Sequence, residues 1–225
     1  MFRIKICGIT RPADAELAAA AGADAIGLNF FPQSPRFVAR AAAQEIVAAA
    51  GKSVRKIGLV VNATPAEVVS TYEALALDLV QLHGDEPPDF LQQLGGLPVL
   101  RAFRVGPSGL APVSAYLEAC RVYGAPPQLV LLDGYQPGLY GGTGDTAPWE
   151  TVAKYRELRF PYPLILAGGL TPENVGRAIA QVRPLGVDVA SGVESAPGIK
   201  DAALVQAFVS RAKDALAGQV PAESR

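Results

Sequence analysis

Eight short runs of apolar, β-favouring residues, separated by helix-like stretches, constrain this chain more than any other feature. They fall at residues 4–9, 25–30, 56–61, 79–83, 99–105, 129–133, 164–167 and 187–191. Several are apolar at consecutive rather than alternate positions, as in Leu129-Val130-Leu131-Leu132, which is what parallel strands buried on both faces require. Antiparallel hairpins would alternate and leave no room for a helix between strands. The intervening stretches carry helix punctuation: Thr10-Arg11-Pro12, Thr64-Pro65 and Thr171-Pro172 each read as a Thr N-cap with Pro at or near the first helical position. Eight strand-helix units in 225 residues fit one closed (β/α)8 TIM barrel better than an open doubly wound sheet. The expected domain is 1–216, with 217–225 a tail that frays.

Half of the residues are hydrophobic, enough for one sizeable core, while 20 Lys and Arg stand against 21 Asp and Glu. That balance offers no positive field for nucleic acid or an anionic membrane, so an anionic ligand must be held locally. Charges at Arg3, Lys5, Arg11, Asp14 and Glu16 break up any signal-peptide core, and no uncharged apolar run reaches about 18 residues. Cys7 and Cys120 form no CxxC pair, which argues against a disulfide framework or a zinc knuckle and for the reducing cytoplasm.

Polar and glycine residues concentrate just after the apolar runs, where a barrel builds its site. Gly141-Gly142-Thr143-Gly144, Gly168-Gly169 and Ser191-Gly192 describe an anion site late in the chain. Glycine lets the backbone approach closely, and the hydroxyls of Thr143 and Ser191 add donors. One Gly-Gly pair alone is as well explained by a tight turn; three segments on neighbouring strands, at the recurrent phosphate position of this fold, favour phosphate.

Single residues divide between bland and chemical readings. Asp133 closes four consecutive apolar residues and precedes a loop-like stretch, so a site role is favoured over a helix cap; burial there would raise its pKa and suit a general acid. Cys7 ends the first run, but position alone favours a packed thiol, the reading kept for Cys120. Arg36, beside Phe30, Phe31 and Phe37, is either a solvated loop cation or a carboxylate clamp. His83, the sole histidine, has no carboxylate spacing for a triad or a metal and is assigned to the pocket wall.

Ordered along the chain, KICGIT at 5–10, GADAIGLNFFPQSPRFV at 22–38, GLVVN at 58–62 and VQLHGDE at 80–86 form one pattern. LLDG at 131–134, GGTG at 141–144, AGGLTPENV at 167–175 and VDVASGVESAPGIKD at 187–201 complete it. With these motifs the chain resembles the phosphoribosylanthranilate isomerase family of tryptophan biosynthesis. The resemblance implies a (β/α)8 barrel that performs an Amadori rearrangement with no cofactor or metal. It places the base on Cys7, the acid on Asp133, the group facing the anthranilate on Arg36, and phosphate binding on Gly142, Thr143, Gly144, Gly168, Gly169, Ser191 and Gly192. A free thiol has a pKa of about 8.5, so Lys5, on the same strand face as Cys7, or the substrate itself must adjust it.

Two departures from the family pattern stand out. Ala147-Pro148-Trp149 replaces Phe-Asp-Trp, and Ala190-Ser191 replaces a pair of serines, which makes backbone N–H groups the safer phosphate donors. The related histidine-pathway barrel shows a two-half repeat with an aspartate ending strand one; here Cys7 takes that place and no such repeat is seen. A non-catalytic phosphosugar-binding barrel is the rival from another class. Monomer and homodimer both remain open.

Overall fold

Eight parallel strands close on themselves in chain order: β1 (Ile4–Cys7), β2 (Ala25–Asn29), β3 (Arg55–Val60), β4 (Leu79–Leu82), β5 (Val99–Arg104), β6 (Leu129–Asp133), β7 (Leu164–Ala167) and β8 (Gly186–Val189). The computed structural model describes residues 1–134 and 149–219. Every residue of β1, β4, β7 and β8 is buried, which explains why they are apolar apart from Lys5, Gln81 and Asp188: one face looks into the barrel and the other under the helices. Closure joins β8 to β1, with Lys5 opposite Asp188. Gly186 makes that seam possible, because a Cβ there would stand 2.4 Å from the Arg3 carbonyl oxygen.

The outer layer comprises α1 (Pro12–Ala21), α2 (Arg40–Ala50), α3 (Pro65–Ala74), α4 (Ala111–Val122), α5 (Trp149–Ala153), α6 (Val175–Val182) and α7 (Ala202–Ala217). β4 is followed only by the 3-10 helix Pro88–Leu94, bounded by Pro87 and by Gly95 in the left-handed region. A large apolar cluster, including Ile6, Leu28, Val130, Leu166, Val187 and Phe208, fills the space between strands and helices. A second cluster, including Phe2, Ala25, Ile57, Leu100, Leu131 and Ile165, plugs the barrel's interior.

The three expected Thr caps have different outcomes. Thr64 caps α3 through a reciprocal capping box with Glu67, an arrangement that contributes about 1 kcal/mol. Thr10 is not a cap: α1 starts from Arg11 with Pro12 in its first turn, and the Thr10 hydroxyl donates to the Gly198 carbonyl instead. Thr171 is likewise displaced by Asn174 as the residue before α6, and its hydroxyl accepts the Glu173 N–H in a local turn. The runs at 4–9, 79–83 and 187–191 also overshoot. β1, β4 and β8 stop at Cys7, Leu82 and Val189, and the next residues turn into loops.

Candidate active site

Side chains alternate along each strand, so Lys5 and Cys7, Gln81 and His83, Leu131 and Asp133 project toward the barrel interior in steps of two. At the C-terminal mouth the innermost steps leave a cavity of about 500 Å³. Cys7, Arg36, His83, Asp133, Gly168, Gly169, Ser191 and Gly192 all line it, as do Asn29, Gln81 and Asp188. The sequence-derived site residues are therefore brought together, except Gly142, Thr143 and Gly144, which lie outside the described residues along with Ala147 and Pro148. Asp133, half-buried, is the last residue of β6. Cys120 faces away, buried on α4.

The cavity floor is a charged array where apolar packing would be the default. Lys5, fully buried, donates through Nζ to Gln81 Oε1 at 2.9 Å and to Asp188 Oδ2 at 3.0 Å. With its oxygen turned to the ammonium, the Gln81 amide presents Nε2 to His83 Nδ1 at 2.9 Å. A neutral imidazole accepting at Nδ1 carries its proton on Nε2, so this chain of contacts assigns the tautomer. Burial, then the positive charges of Lys5, Arg104 and Arg101, push the His83 pKa down to about 4 and keep the ring neutral near pH 7. Asp188 is only 7% exposed, and its Oδ1 is buried with no hydrogen-bond partner among the described residues.

Cys7 sits against this array. A Cβ on Gly27 would lie 2.7 Å from Cys7 Sγ and 3.0 Å from Lys5 Nζ, so thiol and ammonium crowd one point that only glycine leaves open. Burial pushes the Cys7 thiol above the ordinary range; Lys5 pulls it down, Asp188 opposes Lys5, and burial prevails. Of the two expected sources of adjustment, Lys5 and the substrate itself, Lys5 is in place beside Cys7 but its pull is outweighed by burial. Burial works against the charge of Lys5 as well, yet Asp188 and the thiolate form of Cys7 outweigh it and raise its pKa.

Arg36 reaches the cavity from the loop after β2. Ser34 Oγ accepts the Arg36 N–H and the Asn29 side-chain amide, fixing the loop to the end of the strand. Gly8, at φ +72°, clears the way for the guanidinium stem, since a Cβ there would meet Arg36 Cδ at 2.4 Å. The fork is already half used: Nε and Nη2 donate to the two oxygens of Glu194 at 2.8 and 2.6 Å. Lys200 Nζ donates to Glu194 Oε1 at 2.7 Å and to the Ala190 carbonyl at 3.1 Å, which ties Arg36 to the loop after β8. Burial alone would raise the Glu194 carboxyl, but hydrogen bonds from Arg36 and Lys200 hold it below the usual range. Glu194 and Lys200 lie on the hairpin β9 (Glu194–Ala196) and β10 (Ile199–Lys200).

On the far wall, Gly168 and Gly169 adopt φ +93° and +62°. The Asn174 side chain donates to the Gly169 carbonyl and accepts the Thr171 N–H, bracing that loop. The loops after β7 and β8 are in contact, because a Cβ on Gly192 would fall 1.9 Å from the Leu170 carbonyl oxygen. Glycines make up half of this end of the cavity, with Leu170, Ala190 and Ser191 beside Gly168, Gly169 and Gly192.

Comparison with known proteins decides the family. The model of the family described as N-(5'phosphoribosyl)anthranilate (PRA) isomerase matches residues 4–211. The chain belongs to the PRA isomerase family. A PRA isomerase relative from Geobacter sulfurreducens is 48% identical over 214 residues, which span 95% of this chain and 99% of the relative. The crystal structure of the phosphoribosyl anthranilate isomerase from Thermotoga maritima superposes with a TM-score of 0.82 at 36% identity, covering 95% of this chain and all of that one. Another solved PRA isomerase, in complex with reduced 1-(o-carboxyphenylamino)-1-deoxyribulose 5-phosphate, gives 0.80 at 36% identity, again over 95% and 100% of the two chains.

Within this PRA isomerase barrel, sequence reasoning missed Asp188, Gln81, Glu194 and Lys200. A signal existed for the first two: each is a polar residue at an inward step of an otherwise apolar strand, in Val187-Asp188-Val189 and Val80-Gln81-Leu82. Glu194 and Lys200 lie in a polar hairpin where no such contrast marks them.

Proposed function

We propose that the chain isomerises N-(5'-phosphoribosyl)anthranilate to 1-(o-carboxyphenylamino)-1-deoxyribulose 5-phosphate by general acid-base catalysis, with Asp133 as acid and Cys7 as base. One observation carries the reading: a thiol, a carboxyl, a guanidinium fork and two glycine-bearing loops from different strand ends line a single cavity of about 500 Å³. The substrate has an aromatic carboxylate at one end and a phosphate at the other, and the cavity has matching ends. The phosphate is assigned to the backbone at Gly168-Gly169 and Ser191-Gly192, together with the Gly142 to Gly144 loop. The anthranilate carboxylate is assigned to the Nη1 edge of Arg36, the edge that Glu194 leaves available.

In this scheme Asp133 protonates the furanose ring oxygen as the anilino nitrogen lone pair opens the ring to an iminium. The positive nitrogen acidifies the C2–H, and Cys7 removes that proton to give an enolamine, which tautomerises to the ketone. Burial holds the Cys7 thiol protonated in the empty site; as the ring opens, the thiol proton passes to the Asp133 carboxylate just vacated in the same cavity, and the thiolate so formed takes the C2 proton, which leaves thiol and carboxyl as they began. The iminium supplies, at the moment of need, the positive charge that Lys5, already paired with Asp188, does not. His83 Nε2–H, neutral, serves as a hydrogen-bond donor in the cavity wall.

Loss of anthranilate fluorescence on turnover tests the activity directly. Growth of an isomerase-deficient strain with the wild type, but not with Cys7→Ala or Asp133→Asn, is the expected genetic result. Full turnover by Cys7→Ser would remove Cys7 from the mechanism.

A further inference from the structure

The substrate of the proposed reaction is anionic at both ends, so a cavity that attracts anions at both ends lets it enter either way round. Only one way serves the chemistry. Arg36 is the only cationic side chain lining the cavity among the described residues, and residues 135–148 add no Lys, Arg or His. A guanidinium fork fits a phosphate as well as a carboxylate. The end assigned to the phosphate, at Gly168-Gly169 and Ser191-Gly192, has no cation in its lining. We propose that Glu194 is a specificity-determining residue, whose charge reserves the Arg36 end of the cavity for a monoanion and so fixes which way round the substrate binds. The inference rests on the isomerase reading and names what orients its substrate.

Glu194 is held where such a charge acts. Its side chain is 4% exposed; Oε2 accepts Arg36 Nη2 at 2.6 Å, and Oε1 accepts both Arg36 Nε at 2.8 Å and Lys200 Nζ at 2.7 Å. Burial works against ionisation, but the hydrogen bonds from Arg36 and Lys200 outweigh it, so the charge is present near neutral pH. The arrangement is also one-sided. Lys200 Nζ bridges Glu194 Oε1 and the Ala190 carbonyl, so the carboxylate meets the Arg36 end directly but is offset by an ammonium toward the loop after β8. The pair is a dipole with its positive end toward the phosphate loop and its negative end at Arg36.

Charge arithmetic then separates the two anions. Arg36 and Lys200 against Glu194 leave one net positive charge at that end; without Glu194 there would be two. Attraction to a fixed charge grows in proportion to the charge of the ligand, whereas the cost of stripping its hydration grows with the square. A site with one net charge therefore suits an aromatic carboxylate better than a phosphate monoester, which carries about 1.5 to 2 charges near pH 7. The donors agree. Glu194 occupies Nε and one Nη2–H, and what remains, Nη1 with the other Nη2–H, is one fork of the width a carboxylate fills.

Two measurements separate this charge effect from simple support of the Arg36 loop. The first uses the wild type and two analogues of the reduced product, with the ring carboxylate replaced by sulfonate or by phosphonate. Both groups are tetrahedral, but at about pH 8 the sulfonate carries one charge and the phosphonate close to two. Calorimetry should show the sulfonate binding about 10-fold or more tightly than the phosphonate. Equal or reversed affinities would overturn the inference without any variant having to fold. The second counts sites for inorganic phosphate by titration calorimetry. Wild type and Glu194→Asp, which keeps the charge, should each bind one phosphate per chain. Glu194→Gln should bind two, the second lost again when Arg36→Met is added. A single site in Glu194→Gln, or two in Glu194→Asp, would reduce Glu194 to a prop for the guanidinium and refute the proposal. A wild type that turns over substrate yet fails the analogue test sinks this inference alone; one that turns over none removes the isomerase reading, and the inference with it.

Discussion

Gly27→Ala probes the crowding at the centre of the site. Gly27 lies opposite Cys7 in the β1–β2 ladder, and an added Cβ would stand 2.7 Å from Cys7 Sγ and 3.0 Å from both Lys5 Cε and Nζ. Carbon and sulfur pack no closer than about 3.5–4.0 Å, so roughly 1 Å must be found. Lys5 cannot retreat without leaving Gln81 and Asp188, its partners in a fully buried pair. Overpacking of this kind costs about 1–3 kcal/mol. For a chain of this size that lowers Tm by roughly 2–4 °C per kcal/mol. The larger effect falls on turnover, since about 1 Å of misplacement at a reacting group costs on the order of 100-fold. Gly58→Ala is the matched control: its Cβ would meet Leu77 Cδ1 at 2.6 Å, away from the cavity lining. Fluorescence-monitored turnover and calorimetry on both variants should show similar losses of Tm but a kcat defect confined to Gly27→Ala. Equal kcat in the two variants would refute the argument that Gly27 exists to let thiol and ammonium meet.

Three further outcomes are expected. Because burial holds Cys7 above the ordinary thiol range, its alkylation by iodoacetamide, located by peptide mass spectrometry, should keep rising about tenfold per pH unit past the reference pKa of about 8.5; levelling off below pH 8 would contradict the assignment. Arg36→Lys keeps the charge but loses the planar fork, so kcat/KM should fall roughly 10- to 100-fold while inhibition by inorganic phosphate is unchanged; a parallel loss of phosphate inhibition would mean that Arg36 does not act at the anthranilate end. His83 has a folded pKa of about 4 against about 6.5 unfolded, so the unfolded chain takes up the proton first. Stability from this group is complete above about pH 6.5 and is lost as pH falls toward 4, by at most about 3 kcal/mol. Urea unfolding at pH 7 and 4.5 should show a smaller drop for His83→Gln than for the wild type, and equal drops would count against a neutral buried ring.

The barrel was legible because burial on both faces leaves a local mark: consecutive apolar residues, as in Leu129 to Leu132, are what a covered parallel strand requires, and eight such runs with helix-like stretches between them pointed to a barrel. Caps were less legible, since Thr-x-Pro and Thr-Pro look alike whether the hydroxyl caps a helix, as at Thr64, or serves a tertiary contact, as at Thr10. Asp133 announced itself by ending an apolar run. Cys7 did not, because a buried catalytic thiol and a buried packing thiol share the same sequence surroundings; the family motif was needed. What lay out of reach were the partners. Lys5 and Asp188, or Arg36 and Glu194, are more than 150 positions apart, and only the closure of β8 on β1 and the fold of the β9–β10 hairpin make them neighbours.

Those partners also explain how a site for a dianionic-ended substrate exists in a chain with no positive excess. The cations at and beside the cavity are already matched: buried Lys5 by Asp188, and half-buried Arg36 and buried Lys200 by Glu194. Buried pairs of this kind add little net stability over apolar packing, and breaking one costs about 3–5 kcal/mol, so their value here is orientation. They orient the Arg36 guanidinium and, through Gln81, the His83 ring at the cavity and leave the field nearly neutral. An unpaired lysine beside Cys7 would favour the thiolate, the form open to oxidation and alkylation in the empty enzyme. Burial, the largest influence on Cys7, keeps the thiol protonated until the ring opens, and Asp188 adds to it by offsetting Lys5. The cation that ionises it is then the substrate's own iminium, which arises only in the molecule that Cys7 is meant to deprotonate.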